Sequence, residues 1–243
     1  MTTKVAVVGA TGKMGQLVSR LVTEEDGFEL VASLNSSSQL SELDGADLVV
    51  DFTVPAVSQG VVEYAVDRGI NVLVGTSGWS AERIVGVERL VAAKPEVGVV
   101  IVPNFSVGSV LVTSFAATAA KFYDSIEIIE AHAASKLDSP SGTATRTAEL
   151  IGAARATLGP VIAPHADQRA RGQQVSSVPI HSLRMQGVVA KQDVLLGGTG
   201  EVVTLSHETL SSSSYEKGLL LGLYAAVGAR GVIVGLDKLI DLT

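Results

Sequence analysis

Directly after a short apolar run, Val5–Val8, the chain reads Gly9-Ala10-Thr11-Gly12-Lys13-Met14-Gly15, and from Met14 to Glu25 apolar residues recur at helical spacing. A strand that ends in a glycine turn and feeds a helix leaves few folds open. Glycines let the backbone turn tightly and let a pyrophosphate come close, with the anion seated on the helix N-terminus. The spacing is GxxGxxG rather than GxGxxG, and glycines also make plain turns. The weight therefore rests on context: N-terminal strand, loop, helix. The reading is dinucleotide binding, with Gly9, Ala10, Thr11, Gly12, Lys13, Met14 and Gly15 as candidate cofactor contacts.

Further runs continue the alternation. Phe28–Leu34, Leu48–Phe52, Asn71–Val74 and Val97–Val102 read as buried parallel strands, with helical stretches at about 56–68 and 80–94 between the later ones. This succession predicts an α/β fold, a Rossmann-like doubly wound parallel sheet. After Asn104 the character changes. A helix over about 107–122 leads to a strand over Ser125–Glu130, then a helix over 141–155 and a Pro/Gly/Ala loop over 159–174. Ser177–Met185, Val188–Leu195 and Glu201–His207 alternate like strands of an open mixed sheet, with turns at Gly187 and Gly197-Gly198. The Ser211–Ser214 run caps a helix from Tyr215 to about Ala229, and Val232–Leu242 forms a last strand and tail. Two domains are expected. Residues 1–104 with 213–243 bind the dinucleotide, and residues 105–212 form an α+β domain for substrate binding and oligomerisation.

Composition narrows the partners. Of 243 residues, 47% are hydrophobic, enough for a sizeable core. Eighteen basic against 25 acidic residues give a net charge of −7, which argues against nucleic acid. Mean hydropathy is +0.38, yet no apolar run approaches the ~18–20 residues of a membrane span. Met1 to Lys4 enters a strand at once, without a signal-peptide layout, so a soluble cytoplasmic protein is expected. There is no cysteine, which removes disulfides and thiolate chemistry. His132, His165, His181 and His207 are the only histidines, and none pair at metal-ligand spacing, so no metal is expected.

An acid at the end of the second strand would select the ribose of NAD. That position holds Leu34-Asn35-Ser36, with no carboxylate to repel a 2′-phosphate, and Lys13 is placed to attract one. NADPH is therefore expected to be accepted alongside NADH; Lys13 reads equally well as a solvated lysine of the first turn. Three other loops fall at C-terminal strand ends: Asp51-Phe52-Thr53, Gly75-Thr76-Ser77-Gly78 and Pro103-Asn104-Phe105-Ser106. Each alone is an ordinary turn or cap, but their recurrence at one edge points to a ribose or nicotinamide. Candidate contacts there are Asn35, Phe52, Thr53, Gly75, Thr76, Ser77, Val102, Pro103, Asn104 and Phe105.

The chemistry concentrates in Glu130-Ala131-His132-Ala133-Ala134-Ser135-Lys136-Leu137-Asp138-Ser139-Pro140-Ser141-Gly142-Thr143. A histidine donates a proton near neutral pH. A lysine is a fixed cation for a carboxylate. A helix start at Ser141-Gly142-Thr143, with Ser139-Pro140 as cap and first-turn proline, binds anions through its N–H groups. Together they describe a pocket that holds an acidic small molecule and protonates it. His132 also reads as a loop histidine bonded to backbone, and Lys136 as a surface charge. His181 and His207, inside alternating strands, read as structural or interface residues, and His165 carries no assignment.

With these residues in hand, the chain resembles the dihydrodipicolinate reductase family nearly end to end. The resemblance rests on the glycine loop, Val50-Asp51-Phe52-Thr53, Gly75-Thr76-Ser77-Gly78 and Val102-Pro103-Asn104-Phe105-Ser106. It continues through Glu130-Ala131-His132 to Pro140-Ser141-Gly142-Thr143, Ile180-His181-Ser182-Leu183-Arg184 and Gly200-Glu201. It implies NADPH- or NADH-dependent reduction of a cyclic imine dicarboxylate to tetrahydrodipicolinate, in the diaminopimelate route of lysine biosynthesis, by a homotetramer whose second-domain sheets pack together. It implies that His132 protonates the reduced ring and that Lys136 binds one carboxylate and assists proton transfer. Ser141, Gly142 and Thr143 would hold the other carboxylate. The family motif His-His-x-His-Lys is altered: its second histidine, a substrate contact, is Ala133, and its fourth position is Ser135. A lost charge-assisted hydrogen bond is worth roughly 1.5–3 kcal/mol, so substrate binding is expected to weaken unless something compensates. The serine of Gly75-Thr76-Ser77 stands for a usual threonine and keeps the hydroxyl.

Two other readings stay open. One is a reductase of a different imine or dicarboxylate. The other is a non-catalytic NADP-binding sensor, whose signature would be loss of the acid. A semialdehyde dehydrogenase would need a cysteine, and a short-chain dehydrogenase would need Tyr-x-x-x-Lys; the chain has neither.

Overall fold

The computed structural model describes residues 2–240. In chain order the regular elements are β1 (Thr3–Val8), α1 (Lys13–Glu24), β2 (Phe28–Leu34), β3 (Leu48–Asp51), α2 (Pro55–Asp67), β4 (Asn71–Val74), α3 (Ala81–Ala92) and β5 (Gly98–Ile101). Then follow α4 (Val107–Ala119), β6 (Ser125–Ala133), α5 (Gly142–Ala154), β7 (Gln173–Val175), β8 (Val178–Met185), β9 (Ala190–Gly198), β10 (Glu201–Thr209), α6 (Glu216–Val227) and β11 (Gly231–Val234). The chain divides into two compact units. One takes in residues up to Ser106 and from Tyr215 onward, the other Val107–Ser214. No helix among the described residues is long and apolar enough to cross a membrane.

The first unit is built on a six-stranded parallel sheet in the order β11-β5-β4-β3-β1-β2. The chain steps from β1 outward to β2, then returns to lay β3 on the other side of β1. Winding reverses there, and it is outside the C-terminal strand ends at such a point that open α/β sheets bind ligands. Strands covered on both faces need side chains that are apolar in both directions. Accordingly β3, β4 and β5 are buried throughout, with Asp51 and Asn71 as their polar members. Helix α6 approaches the end of β5 closely because Gly218 and Gly222 lie one turn apart on one face. A Cβ at Gly218 would stand 1.9 Å from the Phe105 carbonyl oxygen, and one at Gly222 3.2 Å from the Phe105 ring.

The second unit carries a five-stranded mixed sheet, β10-β9-β6-β8-β7, in which only β6 and β8 run parallel. Side chains alternate across a strand. Ile126 and Ile128 of β6 therefore face inward, packed with Ala116 of α4 and with Ala144, Ala148 and Ile151 of α5. Glu127 and Ile129 take the other face. A parallel β6–β8 pair requires a crossover, which α5 and the segment after it supply.

Several local expectations are corrected. β6 continues past Glu130 to Ala133, so His132 lies on a strand rather than in a loop. Gly197 and Gly198 belong to β9; the turn is Thr199-Gly200, because Gly198 pairs with Glu201 across the hairpin. Ser211–Ser214 does not cap α6. Ser212–Tyr215 forms a 3-10 turn, and Tyr215 precedes the helix without a side-chain cap. Ser141, not Ser139, caps α5, its hydroxyl accepting from the Ala144 amide at 3.2 Å. The 159–174 segment holds a 3-10 turn at Arg169–Arg171 and the start of β7. The tail expected at Val232–Leu242 is β11 followed by a short turn at Leu236–Lys238; its last two positions lie outside the described residues.

Two glycines on helices should respond oppositely to alanine. Gly218→Ala forces a methyl group onto the Phe105 carbonyl and is expected to destabilise the protein by about 1–3 kcal/mol. A Cβ at Gly86 of α3 meets nothing within 4 Å, so Gly86→Ala is expected to stabilise by about 0.5–1 kcal/mol. Denaturant midpoints of both variants check this; equal midpoints would refute the packing account of α6.

Candidate functional site

In the first unit the loops after β1, β3, β4 and β5 gather at one edge of the sheet. Gly9 has φ +82°, and its amide and that of Ala10 both donate to the Leu34 carbonyl at 3.0 Å. A Cβ at Gly9 would lie 2.3 Å from the Phe52 carbonyl oxygen, and one at Gly15 2.1 Å from the Gly9 carbonyl oxygen. The chain's own packing therefore demands both glycines. Gly12 differs: the nearest neighbour of a Cβ there is the Gly9 oxygen at 3.5 Å, an ordinary contact. It stands at the N-cap of α1 with no side-chain cap, leaving the first-turn amides accessible to an anion. This bare, exposed helix start fits a pyrophosphate. Thr11 and Lys13 flank it and are exposed, while Met14 is half-buried.

Asp51, fully buried at the end of β3, folds the next loop. Its Oδ1 accepts from the Thr53 amide at 3.0 Å and the Thr53 hydroxyl at 2.6 Å, and its Oδ2 accepts from the Ser58 hydroxyl. The Thr76 hydroxyl donates to the Asp51 carbonyl at 3.4 Å. The Phe52 ring lies 5.5 Å from that of Phe105, and a Cβ at Gly75 would fall 2.0 Å from it. After β5, Val102 is buried, Pro103 is exposed, and the Asn104 side chain accepts from the Ser106 amide at 2.9 Å. Ser77 is exposed beside Thr76. Asn35, exposed after β2, turns its side chain onto its own loop, accepting from the Ser37 amide at 2.9 Å and hydroxyl at 2.6 Å.

The second unit holds the other cluster, organised by Glu130. On β6, Glu130 and His132 are two residues apart and share the face that Ile126 and Ile128 bury. Glu130 is fully buried. Its Oε1 accepts from Arg184 Nη2 at 2.8 Å and the Ser141 amide at 3.2 Å. Its Oε2 accepts from Arg184 Nη1 at 2.9 Å and bonds His132 Nδ1 at 2.6 Å. Burial alone would push this carboxyl up, but hydrogen bonds from Arg184, Ser182 and His132 outweigh it and hold it below the usual glutamate range. The parallel ladder sets Ser182 opposite Glu130 and Arg184 opposite His132.

The turn after β6 joins the same network. The Lys136 amide closes it on the Ala133 carbonyl at 3.0 Å, and Lys136 Nζ pairs with Asp138 at 2.8 Å. That ammonium holds the Asp138 carboxyl below its ordinary range. Arg184 Nη2 also donates to the Asp138 carbonyl at 2.6 Å. Gly142 and Thr143 are the first residues of α5, and a Cβ at Gly142 would meet nothing within 4 Å. Ala133, the next residue after His132, falls on the opposite face of β6 with Met185 as its ladder partner.

The remaining histidines have other surroundings. His181 bonds Glu127 at 2.6 Å on the outer face of the sheet, where Arg171 also pairs with that carboxylate. His207 lies against Gly108, and burial pushes its pKa down. His165 sits in the 159–174 segment with φ 57°. Three organising groups escape a reading of sequence alone: Asp51, Glu130 and Arg184. The spacing of Glu130 and His132 was the available signal, because residues i and i+2 of a strand share a face.

Two family models match. One described as "Dihydrodipicolinate reductase, N-terminus" covers residues 3–105, and one described as "Dihydrodipicolinate reductase, C-terminus" covers residues 108–240. The chain is 69% identical over 242 residues to the 4-hydroxy-tetrahydrodipicolinate reductase of Clavibacter sepedonicus, covering 100% of this chain and 87% of that one. It is 43% identical over 245 residues to that of Streptomyces griseus subsp. griseus, covering 98% of each. Among solved structures, dipicolinate-bound dihydrodipicolinate reductase from Paenisporosarcina sp. TG-14 matches with a TM-score of 0.85 at 28% identity, over 99% of this chain and 100% of that one. The scyllo-inositol dehydrogenase of Lactobacillus casei shares the fold at 11% identity, with a TM-score of 0.62 over 98% of this chain and 92% of that one. A bare, exposed glycine turn at a helix start, a histidine backed by a buried carboxylate, and family-model matches that together span residues 3–105 and 108–240 lead to one assignment: this chain belongs to the dihydrodipicolinate reductase family.

Proposed function

We propose that this chain reduces a dihydrodipicolinate-type cyclic imine dicarboxylate to tetrahydrodipicolinate, in the diaminopimelate route of lysine biosynthesis, with His132 as the proton donor. The observation that carries the reading is the His132 Nδ1–Glu130 bond of 2.6 Å at the end of β6, with Glu130 also holding the first turn of α5. A bound nicotinamide cofactor supplies the hydride. The protein's part is to hold two carboxylates and deliver one proton. Gly142 and Thr143, heading α5, offer amides and a hydroxyl to one carboxylate, with Ser141 fixing the helix start. Lys136 offers its ammonium to the other; it gives up Asp138 for the ligand or is shared between them. His132 protonates the reduced ring. The side chain of Ala133 adds neither charge nor hydrogen bond.

The dinucleotide is assigned to Gly9, Ala10, Thr11, Gly12, Lys13, Met14 and Gly15, with Asn35, Phe52, Thr53, Gly75, Thr76, Ser77, Val102, Pro103, Asn104 and Phe105 around it. Because the end of β2 carries no acid, both NADH and NADPH are accepted, and Lys13 favours the 2′-phosphate. The assembly is proposed to be a homotetramer joined through the outer sheet faces of the second units. Ile129, Leu183, Met185 and Val202 expose between 37% and 65% of their surface there.

Three outcomes are expected. Nicotinamide oxidation with freshly generated substrate falls about 10²–10⁴-fold in His132→Ala; unchanged turnover would refute the proton-donor role. Lys13→Ala weakens NADPH about fivefold, as loss of one exposed ion pair implies, and leaves NADH unaffected; parallel titrations decide it. Light scattering reads four times the 25.0 kDa of one chain; a monomer would remove the assembly proposal.

A further inference from the structure

Both oxygens of Glu130 are fully engaged: one by Arg184 and the Ser141 amide, the other by Arg184 and His132. An ionised carboxylate only accepts hydrogen bonds. The hydrogen of the 2.6 Å contact therefore belongs to His132 Nδ1, and in the neutral ring Nε2 carries the lone pair. In the imidazolium both nitrogens carry hydrogen, and Nε2–H is the proton not committed to Glu130. The carboxylate thus sets the tautomer and the ring orientation. Arg184 moderates it. Alone beside an imidazole, a fully buried carboxylate would take up a proton rather than stay charged; the bidentate guanidinium keeps it ionised.

We propose that Glu130 is a positioning residue for the reduction, holding His132 by Nδ1–H so that Nε2–H is the transferable proton. The inference rests on the reading of His132 as proton donor and adds the group through which that donor works. The charged groups around His132 are Glu130 on its own strand, Arg184 as its ladder partner on β8, and the Lys136–Asp138 pair in the turn after β6. On β9 its ladder partner is Ala190, with Lys191 next along the strand.

The test compares wild type, Glu130→Gln, Glu130→Asp, His132→Gln and the double variant Glu130→Gln/His132→Gln, with NADPH and substrate. Glu130→Gln is expected to lower kcat about 10–100-fold and to change substrate KM less than about threefold. Glu130→Asp, which keeps the accepting carboxylate, returns kcat toward the wild-type value. On the His132→Gln background, Glu130→Gln changes kcat by less than about twofold, because the two residues act as one unit.

Multiplying losses in the double variant overturn the proposal and leave Glu130 a purely structural group. Wild-type kcat in His132→Gln instead overturns the reading of His132 itself. Histidine 15N spectra of the wild-type enzyme, with His132→Gln to identify the signals, decide the matter even if Glu130→Gln does not fold. A protonated Nδ1 with a bare Nε2 at high pH supports the assignment, and the reverse tautomer overturns it.

Discussion

A fully buried carboxylate has to be answered by charge and hydrogen bonds from its surroundings, and in the second unit Glu130 sets that demand. The answer comes from three places: the β8 strand through Arg184 and Ser182, the start of α5 through the Ser141 amide, and its own strand through His132. A strand, its parallel neighbour and a helix start are thereby tied to one side chain. Asp138 and Lys136 attach through the same guanidinium, so the turn bearing the lysine is held relative to the strand bearing the histidine. Without the parallel β6–β8 register, Arg184 would not stand opposite His132 and the carboxylate would lose its guanidinium partner.

In the first unit the corresponding constraint is steric. Phe52 sits where Gly9, Gly75 and Phe105 converge, and side chains at either glycine would collide with it. Gly218 and Gly222 extend the same close packing to α6. Gly12 stands apart, since no part of the described chain needs the space its missing side chain leaves. Within one seven-residue stretch, two glycines are demanded by the fold, and the third is the one assigned above to the dinucleotide.

Much of this was open to inspection in the residue pattern. The doubly wound sheet follows from apolar runs separated by helical stretches, and the observed β2 and β4 coincide with the runs that predict them. Two of the failures share a cause: pairing across space overrides local propensity. Gly197-Gly198 has the composition of a turn, yet β10 pairs with it, and the bare Gly198 gives room to the Tyr123 ring, 3.1 Å from where a Cβ would be. Four consecutive serines suggest a cap, but a 3-10 turn takes the place of one. The apolar run predicts a strand that stops at Glu130, which leaves His132 in the following loop; ladders to both β8 and β9 keep the backbone extended beyond it.

The sequence by itself determined the class of fold, the glycine loop, and the histidine, lysine and helix start that resemble the family. These are encoded locally, in periodicity and in motifs a few residues long. Only the tertiary structure decided which groups organise them. Glu130 meets Arg184 across 54 positions, and Asn71 binds backbone 155 and 156 positions away, at Ala226 and Val227. No local pattern specifies such partners, because a buried charge or amide takes whichever group the sheet register brings within hydrogen-bond reach. The register is a property of the folded chain.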